Sequence, residues 1–139
     1  MIKELVTDEA ILSTPCDPAT VEDAAVAQDL VDTLLSLENA ACLAANQIGV
    51  TKAIAALVDD EGNTLVMYNP KVLFGMGAFK AEESCLTREG IAKVTRFIKI
   101  KVSYDELVDG AFKTRKRDFV EWPAQIIQHM CDHCKGKLV

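Results

Sequence analysis

Two histidines, four residues apart, have the clearest capacity for chemistry in this sequence. His129 and His133 are the only histidines among its 139 residues. On an α-helix, side chains four positions apart differ by only about 40° around the axis, so both imidazoles can face one metal ion. The usual metalloprotease motif also has a glutamate directly after the first histidine, where this chain has Met130. The spacing therefore indicates a zinc-type or iron-type site, with a pair of helix-surface histidines as the alternative.

The five cysteines are odd in number and lack the regular spacing of a disulfide framework. In a reducing compartment, such cysteines are buried apolar residues or metal ligands. Cys131 and Cys134 are close to the histidines in sequence, but on a helix they point in other directions and are not expected to be ligands. The other three are Cys16, Cys42 and Cys85.

The charge and hydropathy patterns exclude several classes of partner. A net charge of −6 argues against nucleic-acid binding as the main task, because that task needs a basic surface. The one basic run, residues 113–117, is short and is predicted to be a solvated strand face. No stretch approaches the roughly 20 apolar residues of a membrane span, and no signal-type apolar core follows the first residues. We therefore expect a cytoplasmic protein without a membrane partner.

Helical periodicity is clearest near the two ends of the chain, after an irregular arm over residues 1–20. Thr20 has the character of an N-cap, and the pattern predicts a helix from Val21 to about Asn39. A final helix is predicted to begin at Glu121 and to end at Gly136. The first helix has an apolar stripe formed by Val26, Leu30, Val31, Leu34, Leu35 and Leu37.

Strand and turn signals fill the region between the helices. Residues 40–49 are small and apolar, which indicates either a tight connection beside a ligand or helix-to-strand packing. In the clearest strand, 93–104, Ile98, Ile100, Val102 and Tyr104 alternate with polar residues. Together these features predict one α+β domain over residues 1–139, with mostly antiparallel strands. The other predicted strands are 52–58, 64–68, 71–74 and 112–119, with turns at 59–63 and 109–110 and a polar segment at 81–87.

Three stretches, read together, resemble the motifs of the peptide deformylases, which run G-x-G-L-A-A-x-Q-I-G, E-G-C-L-S and Q-H-E-x-D-H. Residues 40–49 read A-A-C-L-A-A-N-Q-I-G, residues 83–87 read E-S-C-L-T, and residues 128–133 read Q-H-M-C-D-H. Motif order, spacing and chain length agree, so the resemblance covers nearly the whole chain. It implies a peptide-deformylase-like fold, with mostly antiparallel sheets packed around a C-terminal metal-binding helix.

The resemblance implies one divalent metal ion held by Cys85, His129 and His133, with a water in the fourth position. Thiolate and imidazole ligands with one open position suit Fe(II) or Zn(II). In the family the ion is usually ferrous iron, and zinc, nickel or cobalt can replace it. Asp132, next to a ligand, is expected to support that ligand or to lie on the helix surface.

The implied reaction removes the formyl group from the initiator methionine of new peptides. The substrate would be an N-formyl-methionyl peptide or nascent chain, attacked at its formyl carbonyl. Gln47 and the backbone N–H of Leu86 match the positions that steady the developing oxyanion, a contribution of about 3 kcal/mol per donor.

The chain departs from the family pattern at the catalytic glutamate, whose place is taken by Met130. General acid–base assistance is worth roughly 10² to 10⁴ in rate, and a methionine cannot supply it. Glycines of the pattern are also replaced, by Ala40, Cys42 and Ser84, where side chains would narrow the substrate groove. Glu83 matches a glutamate of the pattern that is normally structural.

Three hypotheses follow from these departures. The first is a hydrolase of formyl-peptides with impaired activity. The second is a catalytically inactive homologue that binds metal and holds a peptide end or serves another role. The third is the fold with an empty site.

Overall fold

The computed structural model of this protein describes residues 1–59 and 61–139. Five strands form one sheet in the order β1-β2-β3-β4-β5, and each neighbouring pair is antiparallel. This sheet with its C-terminal helix confirms the predicted α+β class. The elements are α1 (Glu9–Leu12), α2 (Ala24–Ser36), β1 (Cys42–Ala44), β2 (Ile54–Val58), β3 (Thr64–Cys85), β4 (Arg88–Val108), β5 (Ala111–Val120) and α3 (Glu121–Cys134), with short 3₁₀ helices at Val21–Asp23 and Ala45–Ile48.

The first predicted helix is present, but with different bounds. Thr20 caps it in a reciprocal capping box with Asp23, the first turn is a 3₁₀ helix, and α2 ends at Ser36 rather than near Asn39. Leu30 and Leu34 of the apolar stripe are buried, whereas Leu35 is 61% exposed. The inclusion of Leu35 was wrong because it lies about 100° around the axis from Leu34, beyond the buried face.

Strand β3 is longer than the sequence indicates. It joins the predicted strands 64–68 and 71–74 to the polar segment that ends in Cys85. An irregularity in its pairing with β4, between Tyr68 and Lys71, accommodates the Asn-Pro pair that suggested a break. The predicted turn before β3 includes Asp60, which lies outside the described residues.

Strands β4 and β5 contain the predicted strands 93–104 and 112–119 but extend beyond them at both ends, and the turn between them lies where it was predicted. Asp109 and Gly110 have φ values of 52° and 79°, as a type I′ turn requires. Ile100, Val102 and Tyr104 are buried, but Ile98 is 50% exposed. The predicted burial of Ile98 was wrong because it lies over Gly77, which has no side chain to cover it. The basic residues 113–117 of β5 are exposed, as predicted.

Helix α3 packs its apolar side against the central strands. Ile127 and Cys131 are buried in one cluster with Ile100 and Val102 of β4. The side chain of Gln128 both accepts from the backbone N–H and donates to the backbone C=O of Phe97, at 2.9 Å each. These contacts fix the rotation of the helix that carries both histidines. Within the described residues, no helix is long and apolar enough to cross a membrane.

Candidate metal centre

Cys85, at the end of β3, lies beside both histidines of α3. Potential ligand atoms of Cys85, His129 and His133 lie within 4.8 Å of one another. The Cys85 Sγ atom is 3.4 Å from Nε2 of His133, and the two imidazole centroids are 4.7 Å apart. Among residues 1–59 and 61–139, no other group of three or more His, Cys, Asp or Glu side chains is so arranged.

His129 is oriented by a buried carboxylate. Its Nδ1 atom is 2.8 Å from Oε1 of Glu83, which leaves Nε2 available on the other side of the ring. Glu83 also accepts from Nε and Nη2 of Arg96, at 2.9 and 2.7 Å, and from Nε2 of Gln125 at 2.9 Å. These donors outweigh the effect of burial and hold the pKa of Glu83 down at about 2. Such a partner sets the tautomer and direction of a ligating imidazole.

Asp132, between the two histidines in sequence, completes this network. Its Oδ2 atom accepts from Nη1 of Arg96 at 2.7 Å. Arg96 is 4% exposed and therefore joins a carboxylate of β3 to a carboxylate of α3 inside the protein. The sequence leaves two roles for Asp132, namely support of the neighbouring ligand or a place on the helix surface. Its ion pair with Arg96 agrees better with the first role.

The hydrogen bonds within the cluster favour the thiolate form of Cys85. Burial raises the pKa of Cys85, but hydrogen bonds from His129, His133 and Thr87 outweigh it and lower the pKa to about 5. Burial lowers the pKa of His129, but Cys85 and Glu83 outweigh it and raise the pKa to about 9. A thiolate is the form of cysteine that binds metals and attacks electrophiles.

The donor set fits one metal ion. A thiolate and two imidazoles are ligands of zinc and of iron, and three protein ligands leave a further position open. The Nδ1 atom of His133 is buried and has no hydrogen-bond partner within the described part of the chain.

The cluster opens into a cavity of about 300 Å³. Gln47 lines it, with Nε2 at 3.3 Å from Cys85 Sγ and 3.2 Å from Thr87 Oγ1, while its Oε1 accepts from the backbone N–H of Ala44 at 2.9 Å. Leu86 is 47% exposed at the edge of the cavity. Both predicted oxyanion positions thus lie beside the cluster, in the small-residue stretch and in the turn after β3.

Met130 lines the same cavity and is almost completely buried. It is 2% exposed and packs with Ala44, Ala55 and Cys42. Among residues 1–59 and 61–139, two carboxylates line the cavity, Glu82 and Glu83. Position 130 contributes a thioether and not a carboxylate to the cavity. The site therefore differs at this position from that of a metallohydrolase with a glutamate there.

Arg96 contributes to the site although the sequence analysis did not single it out, and Cys131 and Cys134 lie outside the group of candidate ligands among the described residues. Arg96 is an even number of residues from Ile100 and Val102, so it lies on the same face of β4 as these buried residues. A charged residue on that face was the sequence signal for an internal ion pair. Cys131 lies in the apolar core, where burial raises its pKa to about 11. Burial also raises the pKa of Cys134.

Comparisons with known proteins agree with this architecture. The family model described as Polypeptide deformylase matches residues 2–139. A peptide deformylase of Clostridium beijerinckii is 42% identical over the whole of both chains, and peptide deformylase 3 of Shewanella oneidensis is 34% identical over 79% of this chain and 68% of its own length.

Solved structures of lower sequence identity share the fold over nearly the whole chain. The class I type b peptide deformylase of Acinetobacter baumannii with bound Met-Ala-Ser has a TM-score of 0.84 at 25% identity, covering 99% of this chain and 97% of its own. A peptide deformylase of Legionella pneumophila has a TM-score of 0.85 at 26% identity, covering 99% and 83%.

Proposed function

Because this chain belongs to the peptide deformylase family, we propose that it is a metal-dependent hydrolase of N-formyl-methionyl peptides with activity lowered by the residue at position 130. The observation that carries the proposal is the convergence of Cys85, His129 and His133 within 4.8 Å, with Cys85 and His129 at the wall of a cavity. A relative of known structure contains Met-Ala-Ser, the kind of peptide that deformylation would release.

Cys85, His129 and His133 would hold one divalent ion. Ferrous iron is the expected ion, with zinc, nickel or cobalt as substitutes. When bound, such an ion polarises a carbonyl and lowers the pKa of water. Glu83 and Arg96 would position His129 for this role through the hydrogen bonds described above.

Gln47 and the backbone N–H of Leu86 would bind the developing oxyanion. The amide of Gln47 is held by Ala44 on one side and donates to Cys85 and Thr87 on the other. One of these donated bonds must therefore be exchanged for a bond to substrate. Donors fixed in this way before the reaction stabilise charge without reorganisation.

The proton acceptor is the missing component. Met130 has no group that can take a proton from water and pass it to the leaving amine. Glu83 is hydrogen-bonded to Arg96, Gln125 and His129, and the exposed Glu82 lies at the edge of the cavity. The proposed rate is therefore lower than that of a glutamate-containing enzyme by up to the roughly 10² to 10⁴ that acid–base assistance supplies.

The peptide groove would also be altered by added side chains. Ala40, Cys42 and Ser84 all line the cavity at positions where the family pattern has glycine. Each adds at least a Cβ to a wall that would otherwise allow close approach of a peptide backbone. We therefore expect weaker binding of formyl-peptides as well as slower turnover.

A second function is favoured by Met130 itself, namely a catalytically inactive homologue that binds metal and holds a peptide end or serves another role. The burial and packing of Met130 against Ala44 and Ala55 make a closed apolar wall where proton transfer would be needed. The ligands and their supporting network would remain without the reaction.

Turnover of formyl-Met-Ala-Ser by anaerobically prepared ferrous protein separates the two functions. We expect slow turnover above buffer for the unmodified protein and a gain of about a hundredfold or more for Met130→Glu. Met130→Gln, which has the shape of glutamate but no basic carboxylate, is the matched control and should show no such gain.

The remaining outcomes are equally informative. Turnover equal to buffer, together with the gain in Met130→Glu, would establish the inactive homologue. No stoichiometric metal on elemental analysis, and no change on Cys85→Ala, would exclude both functions. Loss of turnover in Glu82→Gln would show that this carboxylate replaces the missing base.

A further inference from the structure

The side chain of Thr87 lies between two groups of the candidate site. Its Oγ1 atom is 3.2 Å from Nε2 of Gln47 and 3.3 Å from Sγ of Cys85. Thr87 is 2% exposed and directly follows Leu86, whose backbone N–H is the other proposed oxyanion donor. One buried hydroxyl therefore contacts a proposed metal ligand and one oxyanion donor, and it belongs to the turn that carries the second donor.

The chemistry of these three groups gives their hydrogen bonds a direction. An amide nitrogen only donates, so the hydroxyl oxygen of Thr87 accepts from Gln47. A cysteine that binds a metal ion is a thiolate and only accepts, so the one hydroxyl proton of Thr87 is donated to Cys85. The hydrogen bonds therefore run from Gln47 through Thr87 to Cys85.

The two donated bonds of the Gln47 amide are not equally easy to exchange. One goes to Thr87 and the other to Cys85 Sγ at 3.3 Å, so a developing oxyanion can be bound only if one of them is given up. Cys85 would still accept from Thr87 after such an exchange. The buried oxygen of Thr87, in contrast, would lose the only donor that it has within the described part of the chain. The bond to Cys85 is therefore the one to be exchanged.

We propose that Thr87 is a positioning residue of this site. Its hydroxyl keeps the Gln47 amide aimed at the oxyanion position while the bond from Gln47 to Cys85 is exchanged for a bond to substrate. The inference rests on the proposed function and deepens it by naming the group that fixes one oxyanion donor relative to the sulfur ligand. It does not depend on turnover, because the binding of an oxyanion mimic is measured without hydrolysis.

Calorimetric titration of the zinc-loaded protein with acetohydroxamate, which offers an anionic oxygen to such donors, tests the role of the hydroxyl. Thr87→Val removes the hydroxyl but keeps the branched shape, and we expect it to lower the affinity at least about tenfold, the smallest usual effect of losing a group that supports a metal site. Thr87→Ser keeps a hydroxyl and should retain the affinity. An unchanged or higher affinity in Thr87→Val would show that Gln47 gives up Thr87 instead, and would overturn the proposal.

A double-mutant comparison separates the positioning of Gln47 from a merely structural effect. In a Gln47→Leu background, Thr87→Val should lower the hydroxamate affinity by a clearly smaller factor, because the amide that Thr87 holds is gone. The same factor in both backgrounds would overturn the proposal.

Thr33→Val is the matched control for loss of a buried hydroxyl. Thr33 of α2 is 1% exposed, and its Oγ1 accepts from the backbone N–H of Lys3 at 2.9 Å and donates to the carbonyl of Asp29 at 2.7 Å. It does not line the cavity. This variant should leave the hydroxamate affinity unchanged, and a loss equal to that of Thr87→Val would contradict a specific role for Thr87.

Nuclear Overhauser contacts in the unmodified zinc-loaded protein provide a measurement that does not depend on any variant folding. The contact between an Nε2 proton of Gln47 and the methyl group of Thr87 should persist when hydroxamate is bound. Its loss, or a failure of the hydroxamate to bind at all, would overturn the proposal. The peptide assay remains separate: turnover without the expected affinities refutes only the role of Thr87, and the expected affinities without turnover refute only the hydrolase.

Discussion

At the scale of single residues, Arg96 is the residue on which the ligand support depends. It is 4% exposed and donates to Glu83, which orients His129, and to Asp132, which precedes His133. Both carboxylates are largely buried and need this partner, because an unpaired charge inside a protein is costly. The same guanidinium therefore affects stability and the geometry of the candidate metal centre.

Arg96→Met should lower the free energy of unfolding by about 3 to 5 kcal/mol, the usual cost of removing one partner of a buried ion pair. Urea unfolding of the metal-free protein measures it. The control is Arg115→Met, which breaks the pair with Glu106 on the surface, where both side chains are more than 40% exposed; that change should cost at most about 1 kcal/mol. Equal losses in the two variants would contradict the role assigned to Arg96.

At the scale of elements, the end of α3 depends on Gly136. This residue has a φ of 76°, and its N–H and that of Lys137 bond to the carbonyls of His133 and Asp132, which forms a Schellman motif. A Cβ at Gly136 would lie 2.7 Å from the carbonyl oxygen of Ser13. The absence of a side chain therefore both ends the helix and lets the amino-terminal arm pack against it.

Gly136→Ala should lower the free energy of unfolding by about 3 kcal/mol, because the strain of a positive φ is added to a clash with backbone atoms. Gly110→Ala is the matched control: it has a φ of 79° but no atom within 4 Å of the new Cβ, so only the strain of about 1 kcal/mol should remain. The difference between the two variants, measured by chemical denaturation, isolates the packing of the arm. A difference of zero would show that the arm moves away at no cost.

At the scale of the whole molecule, the amino-terminal segment and the sheet are joined by a few polar contacts. Asn69 of β3 accepts from the N–H of Ala19 at 2.7 Å, and its amide donates to the Ala19 carbonyl and to Asp105. Backbone bonds from Val6 to Gln47 at 2.8 Å and from Cys16 to Cys134 at 2.9 Å continue this connection. The segment therefore contacts both sequence regions that contribute to the site.

Asn69→Ala should lower the free energy of unfolding by about 3 kcal/mol, because it removes three hydrogen bonds of roughly 0.5 to 1.5 kcal/mol each and strains a backbone in the left-handed region. The φ of Asn69 is 54°. Asn63→Ala, an exposed position outside these contacts, should change stability by no more than about 0.5 kcal/mol. Thermal unfolding compares the two variants, and similar melting temperatures would contradict the joining role.

Local patterns were sufficient to predict much of the fold. The capping signal at Thr20, the Asp109-Gly110 turn and the alternation over residues 100–104 each depend on a few neighbouring residues, and each is present in the structure. The single strand β3 was not predicted, because an Asn-Pro pair reads as a break unless the partner strand can absorb it as a bulge. The exposure of Leu35 and Ile98 likewise depends on packing: Leu35 lies beyond the buried face of α2, and Ile98 lies over Gly77.

By itself, the sequence determined which residues are available for chemistry: two histidines at helical spacing, one cysteine in a second motif, and a methionine where a carboxylate is expected. Only the tertiary structure decided that Cys85 lies beside those histidines, that Arg96 holds Glu83 and Asp132 together, and that Met130 and Cys42 share one cavity. The spacing of residues along the chain predicts the directions of their side chains within one helix or strand. Distances between elements depend instead on packing contacts between residues that are far apart in sequence.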